Sequence, residues 1–276
     1  MHEILAITWT LDPVAFELPI LDRGVRWYGI LFATAFLIAY YFMDKMLKAE
    51  DKPAKWMDSL LLYMMVGTVL GARLGHVFFY DWDYYSQNPG DILAVWKGGL
   101  ASHGATIGIL LACWLFARKV KHPAMYFFDR ISLVAAASAA FIRFGNLTNH
   151  EIIGNPTDAP WGFIFTLANV PDPMIPRHPA QLYEAICYLI IFGLMNFLYW
   201  KKDWGKRNGA LMGFFLISLF TARFFIEFVK NSQGGFESSL GDVLSTGQWL
   251  SIPFVILGIY LLLRSRKNVG KISPTS

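Results

Sequence analysis

Arg73, His76, His103, Asp129, Arg130, Arg143, Glu184, Arg223 and Glu227 all lie inside, or at the edge of, strongly apolar stretches of this chain. Such groups cost about 2.5–3.5 kcal/mol each at the centre of a bilayer and less near its surface. Arg223 and Glu227 are spaced i, i+4 and could pair on one helical face; Arg73 and His76 are spaced i, i+3. Asp129 and Arg130 are adjacent and read as a structural pair. The others leave three arginines, Arg73, Arg143 and Arg223, against two carboxylates, Glu184 and Glu227. An uncompensated buried cation favours an anionic partner, and the anion at hand in a membrane is a phospholipid headgroup. His103 stands in Gly98-Gly99-Leu100-Ala101-Ser102-His103-Gly104, where glycines allow close approach of backbone or ligand and could break the helix. It is a candidate general base.

Other chemistries are poorly supplied. His76, His103, His150 and His178 lack zinc-ligand spacing. The glycine-rich stretch has no GKS or GKT ending, and no GxSxG elbow occurs. Cys113 and Cys187 both fall in apolar runs, which suits neither a disulfide framework nor a CxxC pair. No metal and no organic cofactor is implied.

The elements that must position these groups follow from composition. Of 276 residues, 55% are hydrophobic and only 16% charged. A soluble domain carries about a quarter charged residues, so a disordered chain, a nucleic-acid binder and an ordinary cytosolic enzyme are all disfavoured. The apolar residues gather into seven runs of membrane length, near Trp27–Leu47, Trp56–Tyr80, Leu100–Ala117, Ala124–Phe141, Leu182–Trp200, Ala210–Val229 and Trp249–Leu263. Without barrel alternation they are expected to be helices, which makes the fold all-α and polytopic. Trp27, Tyr28, Trp56, Tyr80, Trp200 and Trp249 stand at run ends, where aromatic belts belong.

Fifteen of the 24 basic residues flank one side: Lys45, Lys48, Lys52, Lys55, Arg118, Lys119, Lys121, Lys201, Lys202, Lys206, Arg207, Arg264, Arg266, Lys267 and Lys271. Arg23, Arg26, Lys97, Arg177 and Lys230 flank the other. The positive-inside rule then sets the N-terminus outside and the C-terminus in the cytoplasm. Met1–Pro19 carries Glu3, Asp12 and Glu17 with no basic region, unlike a cleavable leader. Asp81–Gly99 and Asn146–Gln181 face outward, the second as a small head rich in Pro, Asn, Gly and Asp. In this topology Tyr28, Arg73, His103, Arg143, Glu184, Arg223 and Glu227 converge on the outer half of the membrane, whereas Asp129 and Arg130 lie near the cytoplasmic interface.

The segment Ile142-Arg143-Phe144-Gly145-Asn146-Leu147-Thr148-Asn149-His150-Glu151-Ile152-Ile153-Gly154 resembles the signature of bacterial prolipoprotein diacylglyceryl transferases. Arg26-Trp27-Tyr28-Gly29, Gly71-Ala72-Arg73-Leu74-Gly75, Gly98–Gly104, His178-Pro179-Ala180-Gln181-Leu182-Tyr183-Glu184 and Arg223–Phe228 fit in the same order, so the resemblance runs from about residue 19 to 267. Ile142 stands where the family usually has Gly, and Leu147 where it has Phe.

The resemblance implies a single transmembrane domain over 1–276, a periplasmic head at about 146–181, and a multi-pass protein of the bacterial inner membrane working at its outer leaflet. Its implied activity is transfer of diacylglyceryl from phosphatidylglycerol to the lipobox cysteine of a prolipoprotein, forming a thioether and releasing glycerol phosphate. Its partners would be that lipid, the acceptor's signal peptide and the bilayer, with no nucleic acid. By matching position the functional residues are Tyr28, His103, Arg143, Asn146, Glu151, Gly154, Glu184, Arg223 and Glu227, and the chain's own cysteines are bystanders. Arg143 and Arg223 would hold the departing phosphate, Asn146 and Tyr28 would bond the headgroup, and Gly154 would matter through backbone conformation. Glu184 and Glu151 would position the arginines or tie the outer loop to the bundle. The proton acceptor stays open between His103, Glu227 and an arginine-stabilised thiolate. An anion carrier and a non-catalytic lipid-binding scaffold are the rival classes.

Overall fold

The computed structural model describes residues 6–18, 24–231 and 243–267. Glu3, Arg23 and Lys271, used above for the leader and orientation readings, lie outside the described residues. Eight helices are present among them: α1 (Trp27–Ala49), α2 (Lys55–Phe79), α3 (Trp82–Gln87), α4 (Ser102–Lys119), α5 (Ala124–Thr148), α6 (Ala180–Lys201), α7 (Ala210–Ile226) and α8 (Thr246–Lys267). Pro123 and Pro179 immediately precede α5 and α6, where a fixed φ and a missing N–H cost nothing. Lys48, Arg118, Lys119 and Lys201 close the last turns of α1, α4 and α6, where cations complement the helix dipole.

Six helices are long and apolar enough to cross a membrane: α1, α2, α5, α6, α7 with its terminal turn, and α8. The chain is therefore a mainly helical, polytopic membrane protein. The expected third run, Leu100–Ala117, forms the 18-residue α4 but is not among those six. His103 in its first turn, with Arg118 and Lys119 in its last, shortens its apolar part. The all-α expectation holds for the fold, with only short strands beside the helices. Four short strands, β1 (Ile7–Trp9), β2 (Val14–Phe16), β3 (Val25–Arg26) and β4 (Phe163–Phe165), form two two-stranded sheets.

The chain divides into two compact units, 1–39 with 131–276, and 40–130. In the first, β1 pairs in parallel with β4, and β2 runs antiparallel to β3. Leu147, Ile153, Phe163, Phe165 and Ala168 form a small core, with Trp9, Val170 and Leu182 packed against it. Trp9 Nε1 donates to the Leu147 carbonyl at 3.0 Å, and His150 Nε2 is 2.9 Å from the Leu11 carbonyl. The N-terminal strand thus belongs to the same small body as the segment after α5.

In the second unit, α2 and α4 press together along Gly67, Gly71 and Gly75 on one side and Gly104 and Gly108 on the other. A Cβ added at Gly75 would come 2.6 Å from the Gly104 Cα, and one at Gly67 would come 2.6 Å from the Ala112 Cβ. Lipid tails give helices no hydrophobic reason to associate, so small residues that allow close packing must supply the attraction.

Arg73, wholly buried, is held by backbone carbonyls. It donates to Asp91 at 2.6 Å, Ile92 at 2.8 Å and Gly99 at 3.3 Å, and also to Gly98, while its guanidinium lies 4.8 Å from the centre of the Tyr85 ring. Gly98 and Gly99 adopt φ of 83° and 70°, which other residues rarely tolerate and which bring their carbonyls to this cation. Arg73 therefore clamps the 81–99 segment, correcting its place among the surplus arginines. Arg130 is also buried. It pairs with Glu50 (Nε to Oε2, 3.1 Å) and donates to the Tyr126 carbonyl at 2.7 Å.

Candidate active site

The signature segment closes α5 and turns back on itself. Arg143 lies on the last turns of α5, and Glu184 on the first turns of α6 is fully buried. Their side chains form an ion pair, Nε to Oε2 at 2.6 Å, with 14% and 1% of their surfaces exposed. Arg143 Nη1 donates to Asn146 Oδ1 at 3.1 Å, and Asn146 Nδ2 donates to Glu151 Oε1 at 2.8 Å. Asn149 Nδ2 reaches the same Glu151 oxygen at 3.3 Å, and Gln181 Nε2 donates to the Glu151 carbonyl at 2.6 Å. Acceptors and donors alternate along this chain from α6 through α5 to the following turn. The guanidinium is held by a carboxylate behind it and an amide beside it.

That turn is strained. His150 and Ile152 have φ of 54° and 58°. For a β-branched residue such as Ile152 the left-handed region costs on the order of 1–3 kcal/mol. The bonds from Glu151 N to the Asn146 carbonyl (3.1 Å) and from Asn231 N to the Ile153 carbonyl (3.2 Å) hold it there, and they return Glu151 to Asn146.

Gly154, two residues on, donates its N–H to the His178 carbonyl at 2.9 Å and forms an antiparallel bridge with Lys230. A Cβ on it would lie 2.5 Å from the His178 carbonyl oxygen and 2.6 Å from that of Val229. It is not among the positive-φ glycines. Its requirement is close backbone approach, a correction to the conformational role expected above.

Tyr28, at the start of α1, lays its ring over Gly145, where an added Cβ would come 2.7 Å from Cδ2. Arg143 and Glu151 both act on it electrostatically. Arg223 is half-buried on α7 and has no hydrogen bond or ion pair among the described residues. The expected i, i+4 pair with Glu227 does not form. At Glu227 the helix tightens into a 3-10 turn, Glu227–Val229, and its carboxylate instead faces Lys230 at 3.5 Å (Oε2 to Nζ). In 3-10 geometry residues three apart eclipse one another, which favours this pairing over the α-helical one.

Lys230 is the residue that sequence reasoning missed. Counted above only as an orientation marker, it is 7% exposed, and Glu184, Glu227, Arg143 and Arg223 all act on it. Burial pushes its ammonium below the usual lysine range, and the two glutamates oppose that shift. Its spacing, i+3 from Glu227 and i+7 from Arg223, was the available signal.

His103 belongs to the other unit. It is exposed in the first turn of α4, stacked on Tyr80 with ring centres 5.5 Å apart and Nε2 2.9 Å from the Tyr80 hydroxyl. Helix α4 starts at Ser102, so Gly98 and Gly99 precede the helix, and Gly104 lies within it without breaking it. Among the described residues no cluster of His, Cys, Asp and Glu could hold a metal ion.

These residues can be set against known proteins. The family model for prolipoprotein diacylglyceryl transferase matches residues 13–264. The chain belongs to that family. A phosphatidylglycerol–prolipoprotein diacylglyceryl transferase of Chloroherpeton thalassium is 48% identical over 95% of this chain and 95% of its own length. One from Porphyromonas gingivalis is 46% identical with the same coverage of both. One from Chlamydia pneumoniae is 34% identical over 93% of this chain and 92% of its own. The family is one of transferases.

Proposed function

We propose that this chain transfers the diacylglyceryl group of phosphatidylglycerol to the cysteine thiol of a prolipoprotein lipobox, the first step of bacterial lipoprotein maturation. A carbon–sulfur bond forms at the terminal glyceryl carbon as its bond to a phosphate oxygen breaks. The departing glycerol phosphate takes the electron pair, and the thiol gives up its proton. Negative charge therefore grows on phosphate, and preorganised cations in a water-poor site stabilise it strongly.

The observation that carries this reading is the Arg143 guanidinium, fixed by Glu184 and Asn146, in the same unit as an Arg223 that has no hydrogen bond or ion pair among the described residues. Arg143 and Arg223 are assigned the phosphate, and Asn146 and Tyr28 the polar headgroup. Glu184 and Glu151 fix Arg143 and Asn146, and Gly154 lets the backbones close around them. His103 is assigned the thiol proton. A free thiol with a pKa of about 8.5 is only a few per cent ionised at neutral pH, so a base there is worth roughly 10²–10⁴-fold.

The topology that suits this work is seven spans counting α4, the N-terminus outside and the C-terminus in the cytoplasm of a bacterial inner membrane. Residues 1–276 form one transmembrane domain, its head over about 146–181 turned outward. The acceptor's signal peptide and the lipid would meet at the outer leaflet.

Purified full-length protein in phosphatidylglycerol vesicles with a lipobox peptide is expected to yield thioether and glycerol phosphate. Arg143→Ala abolishes both, and His103→Asn loses most of the rate. Headgroup binding with no thioether would leave a scaffold. Anion flux into vesicles that is lost in Arg143→Ala would indicate a carrier. Near-normal rates in His103→Asn would remove the histidine base.

A further inference from the structure

Phosphate is common to all glycerophospholipids, so Arg143 and Arg223 cannot by themselves tell one headgroup from another. A second polar feature in the same unit has no part in the chemistry above. Glu227 and Lys230 face each other across 3.5 Å with 9% and 5% of their side chains exposed. Gly247 backs the carboxylate so closely that a Cβ there would come 2.6 Å from Glu227 Cδ. Lys230 is fixed from the other direction by its backbone bridge to Gly154. Arg143, Arg223 and Glu184 all act on Lys230, which puts the pair in the field of the cations assigned to phosphate.

The pair is electrically neutral and its hydrogen-bonding capacity is mostly unspent. An ammonium has three donors and a carboxylate about four acceptor sites. Among the described residues, the only hydrogen bond of either side chain is the one between them. Buried polar groups ordinarily find partners. An uncharged headgroup with hydroxyls on adjacent carbons offers both: one hydroxyl to donate to the carboxylate, another to accept from the ammonium. An ethanolamine headgroup would instead bring a cation, and no acceptor, to Lys230.

We propose that the buried Glu227–Lys230 pair is the headgroup selector, receiving the two free hydroxyls of the terminal glycerol while Arg143 and Arg223 hold the phosphate and Asn146 and Tyr28 bond the headgroup at its phosphate end. The proposal rests on the transferase reading. It assigns Glu227 to recognition rather than to proton transfer.

The test compares phosphatidylglycerol with synthetic lipids in which 1,2-propanediol or 1,3-propanediol replaces the terminal glycerol, each lacking one hydroxyl. Full-length protein in vesicles and a lipobox peptide are used, and thioether formation is read as kcat/KM. The unaltered protein is expected to prefer phosphatidylglycerol by roughly 10–100-fold, the loss of one hydrogen bond to a charged group. Lys230→Met and Glu227→Gln should lose that preference, bringing the three lipids within about threefold, and Lys230→Arg should restore part of it. An unaltered protein that uses the propanediol lipids as well as phosphatidylglycerol overturns the proposal. So does a Glu227→Gln or Lys230→Met protein that is slower on every lipid by one common factor, which would mark a proton-transfer or purely structural role. Should Lys230→Met fail to fold, Lys230→Arg and the lipid series on the unaltered protein still decide. Failure of the unaltered protein to make thioether from any lipid would instead strike the transferase reading itself.

Discussion

Replacing Glu184 with glutamine tests how Arg143 is held. The substitution keeps the volume and removes one charge from a pair whose members are 1% and 14% exposed. Tyr188, 3.5 Å from Glu184 Oε1, can still meet the amide, and Asn146 still accepts from Arg143 Nη1. What disappears is the counter-charge 2.6 Å behind the guanidinium. Truncating one partner of a buried pair costs about 3–5 kcal/mol, and residual exposure of Arg143 sets the lower end as the better guide. Part of that appears as lost stability. The share that loosens the guanidinium, about 1.5–3 kcal/mol for one hydrogen bond to a charged group, corresponds to roughly 10–150-fold in kcat/KM.

Two measurements follow for full-length Glu184→Gln. In detergent its Tm should fall, and added anionic lipid should recover more of that Tm than it adds to the unaltered protein, because a bound phosphate supplies the missing counter-charge. In vesicles its kcat/KM for thioether formation should fall within the stated range. Unaltered kcat/KM together with unaltered Tm would refute the reasoning. A lower Tm with full activity would show that Glu184 supports the fold without positioning Arg143.

Gly154→Ala puts a Cβ 2.5 Å from the His178 carbonyl oxygen and 2.6 Å from that of Val229, so the backbones must part. A cost of about 1–3 kcal/mol is expected, a Tm lower by roughly 2–10 °C, and slower thioether formation at 25 °C; an unchanged Tm would contradict the close approach. His122, between α4 and α5, has a pKa below the usual 6.5, chiefly through burial and then through Lys52. Because the folded chain disfavours the charged ring, the unfolded chain takes up the proton first as pH falls below about 6.5. Stability should therefore be level above that value and decline in the window beneath it, and His122→Gln should flatten the decline in Tm measured from pH 8 to 5. An identical decline in both proteins would assign it to other groups.

The helices were legible because a run of twenty apolar residues leaves its backbone one way to satisfy itself in lipid. The candidate site was legible where a charged residue in such a run had no cheap reason to be there, as for Arg143 and Glu184, which meet as an ion pair. The strands β1 and β4 were not, since three residues of the N-terminal segment pair with three that lie 156 positions later. Helix α4 is less apolar than the run that suggested it, because Leu100 and Ala101 extend that run beyond the point where the helix starts.

Sequence alone determined six helices of membrane-crossing length, the polar residues worth asking about and, through the order of its motifs, the family. Only the tertiary structure decided who pairs with whom. Arg73 and Arg143 are alike as letters, yet Gly98 and Gly99 turn their carbonyls onto the first, and a carboxylate from another helix meets the second. Glu227 stands one α-helical turn from Arg223 in sequence, but a single 3-10 turn rotates it to Lys230. A charge in a low-dielectric interior takes the nearest compensating group in space. Which group that is depends on a few backbone angles that spacing along the chain does not record.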